Sequence, residues 1–443
     1  AIPYVNAAPH VGHALEFVRA DVVARYKNLQ GYEVFFNTGT DEHGLKIFEK
    51  AKENNLTPQE FVNNGFENFK KQLNMFGISE DIHFVRTTDE HHIKSAQEFW
   101  RKVSNNGYIY KKNYESKYCV GCESEKTDSE LVDGFCSDHP GKDLVIISEE
   151  NYFFKYSAFT EKLLKFYEEN PNFVVPDFRY NEIKAFVERG LQDFSISRLK
   201  EKMPWGIPVP NDENHVMYVW FDALTNYIST LGWPEDTENF EKFWKDGNPT
   251  QYCGKDNLRF QSAMWQAMLM AADLPNSHQI IINGFITADG GVKMSKTLGN
   301  VVDPKDIVAE YGTDALRFFL LSEVSSFEDS PFTMERFKES YNAKLANGLG
   351  NLVSRVMTMV ESYAVETPDL ENLFFNTPNA NLENFKINDF VNNIWEKIQE
   401  TNQDIQIRQP FKKIKEKPEE AIEDVKHFVT SIIVIAQSLE PIL

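Results

Sequence analysis

The chain opens on a short apolar run, Ile2–Val5, followed by a loop, Asn6-Ala7-Ala8-Pro9, and then by apolar or aromatic residues at Leu15, Val18, Val22, Tyr26 and Leu29. That spacing predicts an amphipathic helix, and Gly31 stands where a helix C-terminus favours glycine. Glu33–Asn37 reads as a second strand running into Thr38-Gly39-Thr40-Asp41. Strand, helix and strand at this length predict a crossover unit with parallel strands, whose ligand sites lie at the carboxyl ends of the strands. His10–His13 and Gly39–His43 occupy those ends.

From about residue 109 to 150 the pattern breaks into cysteines, glycines, charges and short strands, which predicts a small inserted module. Helical patterns and the segment Trp205-Gly206-Ile207-Pro208-Val209-Pro210 follow, and the continuous apolar runs of a parallel sheet return at Val216–Trp220 and Ile280–Ile282. Residues 345–443 carry two apolar stripes at helical spacing, Leu345, Leu349, Leu352, Val356 and Met359, then Phe428, Ile432, Ile435 and Leu439, so this region predicts a helical bundle. The Asn- and Pro-rich stretch 366–384 reads as a long surface connection. No internal repeat is evident.

A length of 443 residues predicts about three domains. With 42% hydrophobic and 26% charged residues the chain is neither globally disordered nor fibrous. The best apolar run, Ser431–Ala436, is far too short for a membrane helix, and the opening residues carry no basic segment of a signal peptide. The missing initial Met leads us to expect sequence before Ala1. Lys and Arg number 46 against 67 Asp and Glu, a net charge of −21, which excludes a protein that coats nucleic acid by bulk charge but leaves room for a local basic groove. Arg408, Lys412, Lys413, Lys415 and Lys417, with only Glu416 among them, form one such patch.

Three motifs carry chemistry. Pro9-His10-Val11-Gly12-His13 lies between the first strand and its helix, where amide donors and the positive dipole end face an entering anion. Two imidazoles there can reach a phosphate, and Gly12 lets a flat base approach the backbone; the bland alternative is one capping histidine and one surface histidine. Lys293-Met294-Ser295-Lys296-Thr297 follows Asp289-Gly290-Gly291, and two lysines on a Gly-hinged loop can bring positive charge over phosphates; a solvated Lys-rich turn reads equally well from this segment alone. Cys119-Val-Gly-Cys122 and Cys136-Ser-Asp-His139 have the spacing of a closed structural Zn²⁺ site, one ion per chain, with a disulfide as the alternative. Four cysteines without an export signal favour a reducing compartment, hence the cytoplasm. Cys253 reads as a small buried hydrophobe.

The first two motifs together resemble the signature of class I aminoacyl-tRNA synthetases, with Thr297 keeping the hydroxyl of a usual Ser. The interval from His10 to Lys293 is too short for a large editing insertion as well as the sheet. Ala1-Ile2-Pro3-Tyr4-Val5-Asn6, Gly39-Thr40-Asp41-Glu42-His43-Gly44, Tyr218-Val219-Trp220-Phe221-Asp222-Ala223 and Gly254-Lys255-Asp256 narrow the resemblance to the methionyl-tRNA synthetase family, in its bacterial form with a single zinc knuckle. The resemblance implies an α/β fold: a Rossmann-like nucleotide-binding parallel sheet whose two halves are 1–108 and 211–285, an inserted zinc-knuckle module at 109–210, a loop and connecting segment at 286–344 and a C-terminal α-helical anticodon-binding domain at 345–443. It implies a methionine–tRNA ligase acting on L-methionine, ATP with Mg²⁺ and tRNA(Met); from the lack of a membrane-length apolar run we expect no membrane partner, and we expect a monomer.

Carried over position by position, His10, His13, Lys293 and Lys296 are the catalytic groups, and Gly12, Gly254, Asp256 and Ser295 bind ATP. Ile2, Tyr4, Asp41, Trp220, Ala223, Leu224, Tyr227 and Gln261 form the methionine pocket. Aromatic walls suit a flexible thioether side chain, and a carboxylate at a strand end can hold the ammonium. On local grounds Asp41 could equally cap a helix beginning near Glu42, and Trp220 and Tyr227 could be ordinary core residues. Gln261 stands where the family commonly has His, and Asn257 where it commonly has an aliphatic residue. Asn351 and Arg355 share a helix face and, with Phe411 in place of the usual Trp, are the anticodon readers. Two other readings stand beside this one: a zinc-dependent RNA-binding protein that has lost activation, and a different class I ligase such as the cysteinyl enzyme.

Overall fold

The computed structural model describes residues 1–6, 9–126, 130–292, 294, 302–366 and 378–443. It divides into two compact units: Ala1–Ala8, Phe35–Lys71 and Asp81–Ile282 in the first, Pro9–Val34, Gln72–Glu80 and Asn283–Leu443 in the second.

In the first unit Asn37–Thr40 pairs in parallel with His83–Arg86, from Asn37 opposite His83 to Thr40 opposite Arg86. The strand starts later than the sequence pattern predicts because its ladder partner begins only at His83; residues 33–36 remain irregular, with the Phe36 carbonyl accepting the His83 N–H at 2.8 Å. The expected first strand is a stub. Tyr4 bridges Asp41 in parallel, with Asp41 N–H donating to the Pro3 carbonyl at 2.9 Å and Val5 N–H donating to the Asp41 carbonyl at 3.2 Å. Gly39 is required within this arrangement, since a Cβ there would lie 2.0 Å from the Val85 carbonyl oxygen.

A second small sheet places Gln279–Asn283 between Thr250–Gly254 and Val174–Val175, parallel to the latter. The expected parallel strand at Val216–Trp220 is not one. Val216 and Met217 end a strand, Asp212–Met217, that runs antiparallel to Ser197–Leu199 and to Pro208–Val209, and a short helix, Val219–Ala223, follows. A five-residue run that is apolar throughout carries no period, so it does not distinguish a strand end from a buried helix start. The inserted module is a long antiparallel hairpin, Ile109–Cys119 against Val145–Phe154, whose far end carries the two Cys/His turns. Phe99, Trp100, Phe154, Phe221 and Trp265 centre this unit's core, and Tyr4, Trp220 and Tyr227 pack on its margin.

In the second unit the helix Val11–Leu29 ends as expected, with Gly31 at φ +84° just beyond it. It buries Val11, Ala14, Leu15, Val18 and Val22, and also two charges. The Arg19 guanidinium donates to the carbonyls of Val324, Ser325 and Ser326 and to Asn283 Oδ1, at 2.7–3.0 Å. Asp21 is paired to Arg317 at 2.8 Å and accepts from Ser79. The two charges are held differently, Arg19 by carbonyl and amide oxygens and Asp21 by an ion pair; removing one partner of a buried pair such as Asp21–Arg317 costs about 3–5 kcal/mol. The C-terminal bundle contains Asn351–Tyr363, Ile387–Arg408 and Pro418–Leu439. Leu352, Val356, Met359, Phe428, Ile435 and Leu439 are buried, whereas Leu345, Leu349 and Ile432 are half-buried. The connection 366–384 is not all free surface: Asn379 caps a short helix, Ala380–Glu383, which buries Leu382 and places the Glu383 carboxylate on Tyr26 and Lys27. No described helix is long and apolar enough to cross a membrane.

Candidate functional site

Asp41 is a buried carboxylate of the first unit. It follows the strand Asn37–Thr40, and the helix after it begins at Leu45 with Gly44 in the capping position, so Asp41 does not cap that helix. Its side chain is buried, 7% exposed, and Oδ1 has no hydrogen-bond partner. Burial first, then the charges of Asp222 and Glu123, raise its carboxyl well above the usual range. A buried carboxylate oxygen without a partner costs about 1–3 kcal/mol or more, which an incoming ammonium would relieve.

The aromatic candidates are held by neighbours in the same unit. Trp220 stacks on Phe260, rings parallel within 5° and 3.9 Å apart, a partner that sequence reasoning missed. Gln261 Nε2 donates to the Tyr227 hydroxyl at 2.8 Å, and Gln251 Nε2 donates to Gln261 Oε1 at 2.9 Å. Ala223 and Leu224 are buried beneath, and Ile2 is half-buried. Gly254 ends its strand, buried, and the exposed Asp256 sits in the following turn, where the half-buried Asn257 donates to it at 3.4 Å.

Beside Asp41 lies a buried polar triad that no local pattern announced. Asp222 accepts from His43 Nδ1 at 2.7 Å and from His92 Nε2 at 2.8 Å, and His92 Nδ1 meets Ser229 Oγ at 2.8 Å. Burial works to raise the Asp222 carboxyl, yet the two imidazoles hold it below the ordinary range. The signal was present as residue types, but the partners are far apart in sequence and only the fold joins them.

The knuckle brings its four expected ligands together. Ligand atoms of Cys119, Cys122, Cys136 and His139 all lie within 4.8 Å of one another. His139 Nδ1 is 3.2 Å from Cys122 Sγ and 3.7 Å from Cys119 Sγ, and Cys122 Sγ is 3.4 Å from Cys136 Sγ. A tetrahedral Zn²⁺ with Zn–S near ~2.3 Å separates its sulfurs by about 3.8 Å, so this donor set fits such an ion. Gly121 is part of the fit: a Cβ there would lie 2.5 Å from the His139 ring. All four cysteines are free thiols, which disposes of the disulfide alternative among them.

In the second unit His10 and His13 both cap the helix Val11–Leu29. Gly12 N–H donates to His10 Nδ1 and His10 N–H donates to His13 Nδ1, each at 3.1 Å. Neither histidine is the idle surface residue of the bland reading. With both Nδ1 atoms accepting, the proton of each neutral ring sits on Nε2. Burial, then the neighbouring His10, lowers His13 to about 3. His13 is therefore a neutral N–H donor at the positive end of a helix and not a cation. Gly12 has a reason beyond backbone approach: a Cβ there would be 2.9 Å from the His10 ring. Lys293, Ser295 and Lys296 lie outside the described residues.

On the bundle, Asn351 is exposed and Arg355 donates to Asn402 Oδ1 at 3.2 Å. Phe411 follows the buried Pro410 and is 43% exposed. The basic patch is partly neutralised: Lys413 pairs with Asp424 at 2.7 Å, Arg408 with Asp404 at 2.8 Å and Asp424 at 3.2 Å, and Lys417 with Glu420 at 2.8 Å, while Lys412 and Lys415 are exposed.

The family model described as tRNA synthetases class I (M) matches residues 1–145 and 138–357. The methionine–tRNA ligase of Caldanaerobacter subterraneus subsp. tengcongensis is 46% identical over 363 residues, 82% of this chain and 56% of that protein. The methionine–tRNA ligase of Clostridium acetobutylicum is 40% identical over 460 residues, 100% of this chain and 70% of its own length. Among solved structures, Mycobacterium tuberculosis methionyl-tRNA synthetase in complex with methionyl-adenylate superposes with a TM-score of 0.92 at 35% identity, covering 100% of this chain and 90% of that one. The chain thus spans between about half and seven-tenths of the length of these curated relatives.

Proposed function

This chain belongs to the class I tRNA synthetases of the methionyl type, and from that membership we propose that it is a methionine–tRNA ligase. The observation that carries the substrate reading is Asp41: a buried carboxylate with an unpartnered oxygen, in the same unit as the stacked Trp220 and the bonded Tyr227–Gln261 pair. The carboxylate takes the methionine ammonium, and aromatic faces take the thioether. In the first step the methionine carboxylate attacks the α-phosphorus of ATP, forming methionyl-adenylate as pyrophosphate leaves. Positioning and charge stabilisation carry this step, and no side chain serves as a nucleophile.

His10 and His13 supply neutral Nε2–H donors and the helix its amide dipoles, with Gly12 keeping the ring of His10 in place. Gly254 and Asp256 serve the ribose, and Lys293, Ser295 and Lys296 act on the phosphates. Mg²⁺ arrives with ATP. Methionyl then passes to the 3′ end of tRNA(Met), whose anticodon is read by Asn351, Arg355 and Phe411 on the domain 345–443. Cys119, Cys122, Cys136 and His139 hold one Zn²⁺, which stabilises the module; with four protein ligands it leaves no open position for chemistry. The thiol ligands suit the cytoplasm.

ATP–pyrophosphate exchange with a panel of amino acids tests this reading. Exchange dependent on methionine alone is expected. Exchange dependent on cysteine would install the cysteinyl alternative, and tRNA binding without any exchange would install the RNA-binding one. Within that assay, Lys296→Ala is expected to slow adenylate formation by about two to three powers of ten with little change in methionine affinity.

A further inference from the structure

Glu123 directly follows the ligand Cys122 and is absent from every motif considered above. Its backbone is in the left-handed region, φ +52°, which an L residue adopts only under local constraint. Its side chain points inward from the knuckle, 6% exposed. Glu123 Oε1 lies 2.8 Å from the Tyr4 hydroxyl and accepts the Lys46 backbone N–H at 3.1 Å. The Tyr4 hydroxyl also lies 2.7 Å from the His43 carbonyl oxygen. One phenolic proton therefore stands between two acceptors, and the ring is fixed from two sides. The packing is tight: a Cβ on Gly44 would lie 2.5 Å from the Tyr4 hydroxyl oxygen and 2.7 Å from Glu123 Oε1.

We infer that Glu123 is a positioning residue for the amino-acid pocket, holding the Tyr4 ring as a pocket wall so that the turn organised by Cys122 bears directly on methionine affinity. This rests on the reading of Tyr4 as part of the methionine pocket. Tyr4 is tied through its backbone to Asp41, so a ring that is loose at its hydroxyl end disturbs the wall nearest the ammonium site. Glutamine can replace the clamp. Its amide oxygen takes the place of Oε1 and accepts from both the Lys46 N–H and the Tyr4 hydroxyl.

The test uses Glu123→Ala, Glu123→Gln and Tyr4→Phe in the full chain. It measures kcat and KM in methionine-dependent exchange, methionine binding by intrinsic tryptophan fluorescence, and bound zinc. Glu123→Ala is expected to raise the KM and Kd for methionine about tenfold or more, the scale of a lost hydrogen bond to a charged acceptor. Its kcat, its KM for ATP and its zinc content should stay near wild type. Glu123→Gln should remain within about threefold of wild type. Tyr4→Phe should reproduce the selective methionine defect, and the double variant should be no worse than the worse single. An unchanged methionine KM in Glu123→Ala and Tyr4→Phe, an equal rise for ATP, or a Gln variant as weak as Ala would overturn the inference. A wild-type protein that neither exchanges nor binds methionine would instead remove the ligase reading itself.

Discussion

The amide nitrogen of Gln261 donates to the Tyr227 hydroxyl at 2.8 Å while its oxygen accepts from Gln251, so both ends of an uncharged side chain are engaged. The amide does what an imidazole could do at this position, one donor and one acceptor, without a titrating group. Gln261→His is expected to keep methionine activation within about tenfold, roughly one hydrogen bond's net worth. Its methionine KM should acquire a pH dependence from position 261 that the amide cannot give. Gln261→Leu removes one partner from each of Tyr227 and Gln251 and should raise methionine KM more than the histidine variant. Steady-state exchange from pH 6 to 8 decides; total loss of methionine binding in Gln261→His would mean the pocket is built on other contacts.

That pair also marks where sequence reading stopped. Gln261 and Tyr227 were expected as pocket positions through resemblance, but their bond, and the Phe260 ring on Trp220, needed coordinates. The helix Val11–Leu29 was legible because its apolar spacing and Gly31 agree with each other. Its buried Arg19 and Asp21 were not, because a period of apolar residues says nothing about charges satisfied by carbonyls of residues 324–326 or by Arg317. The knuckle was fully legible because metal ligation needs fixed residue types at fixed spacing. Val216–Trp220 misled because a uniformly apolar run has no period. Asp222 with His43 and His92 stayed hidden, being assembled from three separate segments.

His13 yields a pH prediction. Its folded-state value, lowered to about 3, lies below the ordinary histidine value near 6.5. Between those limits the unfolded chain binds a proton that the folded chain refuses, so this group's contribution is complete above about pH 6.5 and is lost as the pH falls toward 3. Asn at this position can still accept the His10 N–H but does not titrate. The Tm difference between wild type and His13→Asn should therefore shrink as the pH drops from 6.5 to 4. Adenylate formation should be slower in the variant by about two powers of ten, with a pH profile of the same shape as wild type. A Tm difference that grows on acidification would mean that His13 works as a cation.

The knuckle supplies a sharper test than removing a ligand. Gly121→Ala places a methyl 2.5 Å from the His139 ring, so the ring must leave its position while all four ligand residues remain in the sequence. Purified wild type is expected to carry close to one Zn²⁺ per chain. Gly121→Ala and Cys122→Ser should bind it weakly and melt at lower temperature, because metal affinity here is also folding energy for the hairpin end. Cys253→Ser should keep its zinc, since Cys253 lies in the strand Thr250–Gly254 and outside the cluster. Chelated protein that remains fully folded and active would defeat the assignment.

The anticodon reading turns on Phe411. Its ring is 43% exposed and follows the buried Pro410. Gln409, at φ +50° between two helices, turns the chain just before it. Stacking of one base on one ring is worth ~1–3 kcal/mol. Phe411→Ala should therefore raise the KM for tRNA strongly and leave ATP–pyrophosphate exchange intact, and Phe411→Trp should be neutral or better. The lysines around it divide by their partners. Lys412 and Lys415 face solvent, whereas Lys413 is already paired with Asp424. Phosphate contacts on single-stranded RNA contribute a salt slope of about 0.7 each. Lys412→Ala and Lys415→Ala should each flatten the dependence of log Kd for tRNA on log salt by about that amount, and Lys413→Ala should do so less while lowering the Tm. Equal damage to exchange and tRNA binding in Phe411→Ala would make the ring part of the bundle's packing, and equal slopes for all three lysines would show that the Lys413–Asp424 pair opens when RNA binds.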